Sequence, residues 1–465
     1  MPGREPYSPK HRTALVLAGT GTAGAYHAGV LRAMNEAGVR VDLVAGHGMG
    51  VVGACFVAID GGSRLWAPDG FWRQRAVGRF YRWRPVLRML SWVAVAVLAL
   101  VLVPLGLLAG GLVTYAAAFV LQLAHLNAGV SIADGYAWLV HQAFQPGMLP
   151  SWLAQGALLL AVVALVLLAV ASMRARLQHR HRERGRFWWR VFGAPLDARQ
   201  VVAFWHAALW RLITGGTKVP LPGSLELSRR YAEVLSDNLG QPGFRELLAV
   251  VHDIDTRRDL VMAALTEPHR SVFFGRRPGT AGWMPRAGDT LDLVGADRDH
   301  VTDVLAAALS LPVVTESWPV TFAPESFWSG ETHRLCDRPD AIGRLLEEAL
   351  AAGVEQVVVV SATSESPEPH TLTEPRIDGR GRLGEWLAAD QTASMRDALR
   401  ARAGSFRSIQ LIRPAHNPIG PLEFTGTYDE RSDRVQLFGE LLDRGYEDAY
   451  RQFIEPVVGA PDLTS

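Results

Sequence analysis

VDLVAGHGMGVVGA, Val41–Ala54, runs from a short apolar strand through a knot of glycines into a helix of small residues. A turn of this outline commonly presents a nucleophile at the centre of a G-x-S-x-G pattern, because the flanking glycines let the backbone bend sharply and push one hydroxyl into the open. The central position here is Gly48, so the outline of a catalytic turn is present without its reactive atom.

Outward from this turn the chain alternates strands and helices. Strands are expected over Ala14–Ala18, Val41–Ala45, Leu247–Val251 and Gln356–Ser361, and helices over Ala25–Ala37, Val51–Ile59, Asp303–Leu309, Ala341–Ala352 and Gln391–Ala401. This alternation argues for an α/β fold, a mostly parallel sheet with flanking helices. Thr363–Arg382, rich in turn formers and charge, reads as a surface loop.

With 465 residues the chain has ample length for a large core. Its 47 basic and 46 acidic side chains nearly cancel, which speaks against nucleic acid as a partner. The two cysteines, Cys55 and Cys336, lie far apart and form neither a disulfide framework nor a zinc pattern, which fits a reducing compartment. The polar start MPGREPYSPKHR has no cleavable signal pattern.

The middle of the chain is strongly apolar. Met89–Ala124 carries no formal charge over about 36 residues, where about 20 suffice to cross a bilayer, and Trp152–Met173 is just long enough for a second crossing. Arg79, Arg82, Arg84 and Arg88 precede the first run; Arg174, Arg176, Arg180, Arg182, Arg184 and Arg186 follow the second, with Trp83, Trp92, Trp188 and Trp189 beside them. The positive-inside rule puts both flanks in the cytoplasm and the Lys- and Arg-free stretch His125–Pro150 on the far side. The alternative is a pair of buried core helices, which a soluble interior rarely needs so close together.

A second glycine cluster, LVLAGTGTAGAYHAGVL, Leu15–Leu31, contains G-x-G-x-x-G at Gly19, Gly21 and Gly24, with Asp42 about 20 residues on, the outline of a dinucleotide site. Two features weaken that reading. The acid stands at the start of its strand, and that strand runs straight into the Gly46–Gly50 knot, which a dinucleotide fold does not require.

Together the two clusters resemble the signature of the patatin-like phospholipase family, a glycine-rich loop of the form GGGxRGAYxAGVL followed by xDLIxGTSAGA. Gly19–Tyr26 and Ala28–Leu31 carry the first, and Asp42–Val44 with Gly46–Gly50 the second. LAAALSLPVV, Leu305–Val314, is similar to the family's small-residue helix and proline turn. Cys336–Ser361 has its spacing from an aspartate through an alanine-rich helix to a strand. The resemblance covers about residues 12–80 and 200–455.

What it implies is a serine that attacks a lipid ester, an aspartate that takes its proton, and loop amides that hold the oxyanion. Carried over by position, the oxyanion hole falls on Gly19, Thr20 and Gly21, the elbow on Gly46, His47 and Gly50, the nucleophile on Gly48 and the dyad aspartate on Asp337. Four departures follow. The nucleophile is missing, the loop arginine is Ala23, the middle glycine is Thr20, and Asp337 precedes Arg338 and Pro339 where glycines are usual. Removing the serine of a serine hydrolase costs about a millionfold in turnover, so losses confined to these positions read as a retained fold whose chemistry has gone.

Substitutes are unconvincing. His47 precedes the apex, so its ring is expected to point away from the missing hydroxyl. Cys55 reads as a small core residue, and Cys336 faces the opposite side of its strand from Asp337. Asp378 in RIDGR reads as a loop aspartate with no helix following at the family spacing. Asp253 and Asp255 could form a metal pair but read as a solvated strand end.

The expected architecture is a patatin-like domain over 1–85 and 191–465, interrupted at 86–190 by a transmembrane helical hairpin; strands on both sides of the insert require an even number of crossings. The expected protein is a bacterial-type inner-membrane protein with both parts of the domain cytoplasmic. It needs no cofactor, metal or nucleic acid, and it binds membrane phospholipid, fatty acid or a protein partner without hydrolysis. The cleft is expected to keep its amides, with the helix after Gly48 and the loop Gly19–Gly21 converging on one anion-binding spot. The competing readings are an active lipid acyl hydrolase with a replaced nucleophile and a membrane-tethered dinucleotide-binding protein.

Overall fold

The computed structural model describes residues 7–143, 149–178, 193–217, 219–275, 288–365 and 378–458. The chain divides into two compact units, Met1–Arg82 with Asp197–Ser465, and Trp83–Leu196.

The first unit is built on a nine-stranded sheet. Its strands are β1 (Thr13–Ala18), β2 (Leu43–Gly46), β3 (Glu246–Asp253), β4 (Arg258–Ala264), β5 (Thr290–Asp292), β6 (Trp318–Thr321), β7 (Thr332–Cys336), β8 (Gln356–Ser361) and β9 (Ser408–Ile412). The order is β9-β8-β1-β2-β3-β4-β5, parallel from β9 to β3. Beyond it β4 returns antiparallel, and the β6–β7 hairpin pairs its end with β3 through His252↔Cys336 and Asp253↔Leu335. Parallel strands must be covered on both faces, which explains runs such as LVLA and VVVV that are buried throughout.

Alternate residues of β1 serve opposite layers. Ala14 and Val16 face a core shared with Leu345 and Leu346 of α9 (Ile342–Ala351), while Leu17 reaches Gly53 of α2 (Gly50–Ala58). Each fully buried Leu or Val contributes about 1.5–3 kcal/mol, and this central strand and its neighbours make the sheet a rigid frame. Helix α1 (Ala23–Glu36) packs on α11 (Glu440–Ala449), where the buried Tyr26 hydroxyl donates to Asp448 at 3.0 Å. Flanking helices α6 (Arg199–Ile213), α7 (Ser224–Asn238), α8 (Val301–Ala308) and α10 (Gly379–Arg402) complete the layers. The stretch expected as a loop over Thr363–Arg382 therefore ends inside a helix, because Asp378 caps α10 by accepting from the Gly381 amide at 2.9 Å. Residues 366–377 lie outside the described residues.

Trp83–Leu196 holds, among its described residues, α3 (Pro85–Leu123), α4 (Ala128–Ala143) and α5 (Leu149–Gln178). Pro85 opens α3 at a position where its missing N–H costs nothing. The 39 residues of α3 span about 58 Å. Its large apolar side chains point outward, with Leu108, Leu112 and Val113 at least 70% exposed. One described stretch, Leu105–Leu123, is long and apolar enough to cross a membrane; Pro85–Ala99 and Leu158–Val170 are shorter apolar helices.

The stretch expected to connect two crossings is itself helical. The expected far-side stretch contains α4, which lies along α3: Tyr136 packs over Gly111 and donates to the Leu107 carbonyl, and Gly129 meets the Ala118 carbonyl. In the second expected run the apolar segment among the described residues is Leu158–Val170, within α5. Arg180, Arg182, Arg184, Arg186, Trp188 and Trp189 lie outside the described residues.

Candidate active site

Because β1 and β2 are parallel neighbours, with Leu17 in register with Gly46, the loops that follow them emerge side by side at the carboxyl edge of the sheet. The loop after β1 leads into α1 and the turn after β2 into α2. Asp337 arrives at the same place from β7, its amide fixed by the Ser310 carbonyl at 2.8 Å.

Gly48 sits at φ +55°, a region that strains any side chain. A Cβ built there would lie 3.0 Å from Asp337 Oδ2 and 2.8 Å from the Gly19 carbonyl oxygen. The aspartate thus stands beside the nucleophile position, but the space in which a serine would begin is already taken by main chain.

Asp337 is 1% exposed, and neither carboxylate oxygen makes a hydrogen bond among the described residues. Burial raises its pKa, while His47 and the amides of Arg338 and Gly48 pull it back only in part. His47 Nδ1 lies 3.8 Å from Asp337 Oδ1, too far for a hydrogen bond. The expectation that the His47 ring points away is therefore corrected. The turn carries it inward, onto the carboxylate.

Behind the loop lies His27, which sequence reasoning passed over although it stands inside AYHAGVL. Its Nε2 donates to the Ala18 carbonyl at 3.2 Å, its Nδ1 has no partner among the described residues, and burial pushes its pKa down to about 3, leaving a neutral imidazole. Orphaned polar atoms on His27, His47 and Asp337 in one region mark a site that keeps catalytic residue types without the bonds that would orient them.

Several groups of the glycine loop are held within the protein. The Gly19 carbonyl accepts the Met49 amide at 2.9 Å, and the amides of Gly50 and Val51 go to the His47 and Gly48 carbonyls. The first amides of α2 are thus engaged within the protein. Thr20 accepts from the Gln391 side chain. Thr22 donates its amide to Pro421 and its hydroxyl to Gly420, each at 2.9 Å. Gly21, at φ +60°, packs so closely under the Pro421 carbonyl that a Cβ would overlap it. Ala23, at the position of the family's arginine, is 5% exposed. After Asp337, Arg338 pairs with Asp259 and with Asp340, tying down the segment where glycines would leave it free.

The substitutes fare as chemistry requires. Burial pushes the thiols of Cys55 and Cys336 up to about 12, so both stay protonated and unreactive near neutrality. Asp253 is no solvated strand end. It is fully buried and accepts from His333 at 2.7 Å and from the Asp255 amide at 2.9 Å, while Asp255 pairs with Arg334. No group of three metal-ligating side chains suited to a metal ion occurs among the described residues.

A cavity of about 930 Å3 opens on the outer side of the glycine loop. Gly19, Thr20, Thr22 and Ala23 form one wall, Gly381, Gly384, Ala388 and Ala389 of α10 a second, and Asn417–Leu422 a third. Gly48, His47 and Asp337 are not part of its lining.

Residues 15–147 match the family model of the patatin-like phospholipases. This part of the chain is similar to that family. The match takes in the glycine loop and the elbow, and leaves Asp337 outside. No curated protein matches the chain. Among solved structures, VipD from Legionella pneumophila is similar over 97% of this chain and 67% of its own, at 12% identity and a TM-score of 0.30.

Proposed function

We propose that this patatin-like domain does not hydrolyse esters, and that it serves at a membrane by holding an amphiphilic lipid beside its glycine loop. The observation that carries the first half is the Gly19 carbonyl, 2.8 Å from the point where any side chain on residue 48 would start. That oxygen takes the space in which a nucleophile side chain would begin, so no hydroxyl is presented there while the loop keeps this position. The cavity supports the second half. Its volume of about 930 Å3 lies within the range of small-molecule sites. Gly381, Gly384, Ala388, Ala389 and Ala393 give its α10 wall a line of small side chains about 18 Å long, with Arg380, Glu385 and Arg396 beside it, an arrangement that suits an acyl chain and a polar headgroup together. The outward apolar surface of α3 supports anchoring in a bilayer.

Two measurements on the detergent-purified full chain test this. A serine-directed fluorophosphonate probe is expected to leave the protein unlabelled, and mass spectrometry is expected to find copurified lipid that falls severalfold in Ala389→Trp. Labelling would overturn the first half. Equal lipid in the wild type and a folded Ala389→Trp protein would assign retention to the apolar helices, and leave a protein partner as the better account.

A further inference from the structure

Val313 stands at φ +68° with 93% of its surface exposed. A β-branched residue in that region is strained, and this one recovers nothing by burial. Its loop is nonetheless firmly held. The Tyr81 hydroxyl donates to the Leu309 carbonyl at 2.9 Å, Thr315 donates to Leu311 at 3.0 Å, and Arg199 pairs with Glu316 at 2.9 Å. Tyr81 and Arg199 flank the points at which the chain leaves the sheet-containing unit, after Arg82, and returns to it, at Asp197. An apolar side chain is thus propped outward at the edge where the chain leaves and re-enters this unit.

That edge is also basic. Between Asp69 and Asp134 the chain has no acidic residue and six arginines. Arg79 and Arg82 are exposed and make no ion pair among the described residues; beside the Val313 loop, Glu316 pairs with Arg199 and Asp197 accepts the Arg199 amide at 2.9 Å. We infer that this edge is a docking surface for an anionic bilayer, with Val313 entering the interface and Arg79 and Arg82 meeting lipid phosphates. Apolar insertion beside fixed positive charge is the combination that favours an anionic membrane surface. The inference rests on the reading that the apolar helices enter a membrane.

The test uses the full chain in nanodiscs, with Val313→Cys carrying an environment-sensitive fluorophore; Cys55 and Cys336, at 1% and 2% exposure, stay unlabelled. A second label at Leu112→Cys reports on α3. Discs of phosphatidylcholine are compared with discs containing roughly a third phosphatidylglycerol, each with nitroxide lipids as quenchers. The inference predicts quenching at position 313 that is at least about twofold stronger in the anionic discs, and that is lost in an Arg79→Glu, Arg82→Glu background. Quenching at 112 without quenching at 313 overturns the docking surface and keeps the anchor. Quenching at neither position overturns both. Equal quenching at 313 in the two compositions overturns the anionic preference.

Discussion

Residue 48 combines a left-handed backbone, a carbonyl oxygen 2.8 Å from its would-be Cβ and a carboxylate at 3.0 Å. Glycine relieves all three, which makes the missing serine part of how the turn now packs. Gly48→Ser is therefore expected to lower stability in chemical denaturation by about 1–3 kcal/mol, and to release no fatty acid above background. Asp337 gives a prediction of the opposite sign. Its pKa is raised on folding, so the folded state favours the protonated form, and stability present below the ordinary carboxylate range is lost as pH rises through the raised value. Asp337→Asn escapes that loss and is expected to be more stable than wild type by about 1–3 kcal/mol at pH 8, with the difference shrinking as pH falls towards about 4. A melting-temperature series across pH checks it; a destabilised Asn variant at pH 8 would show that the carboxylate is needed where it stands. The identity of these residues was legible from the glycine pattern and its spacing. The direction of the His47 ring was not, because order along a turn does not fix which way a side chain leaves it.

At the scale of elements, the strands and the helices around the glycine clusters follow the apolar periodicity closely, since a buried parallel sheet leaves little freedom in sequence. The misses share a cause: polar residues whose partners are distant in the chain. Asp253 looked solvated because His333, 80 residues away, is invisible to local pattern. Asp253→Ala removes the acceptor for His333 and for two amides, and should cost about 3–5 kcal/mol, read by urea unfolding. Asp378 looked like a loop residue because the strongest helical pattern begins later, at Gln391. Asp378→Ala should cost about 1 kcal/mol through the lost cap. A change below the error of the measurement would show that the cap is dispensable. The helix α4 was missed because its Asp134 and His141 break an otherwise apolar run, and its packing depends on glycines of α3.

At the scale of the whole molecule, β1 and β2 precede the apolar helices while β3, β8 and β9 follow them, all in one sheet. If the helices enter a bilayer, both flanks share a compartment. Reporters after Arg186 and at Ser465 are then expected to read the cytoplasm, and a cysteine at Asn127, in the turn beyond α3, to be labelled from outside; a cytoplasmic result at 127 would contradict a crossing. The central proposal is that the fold has kept the frame of a lipid hydrolase without its chemistry. Its most direct test is fatty acid release from mixed phospholipid by the full chain, wild type against Asp337→Asn. The account predicts the same background rate for both. Release by the wild type that disappears in Asp337→Asn would contradict it.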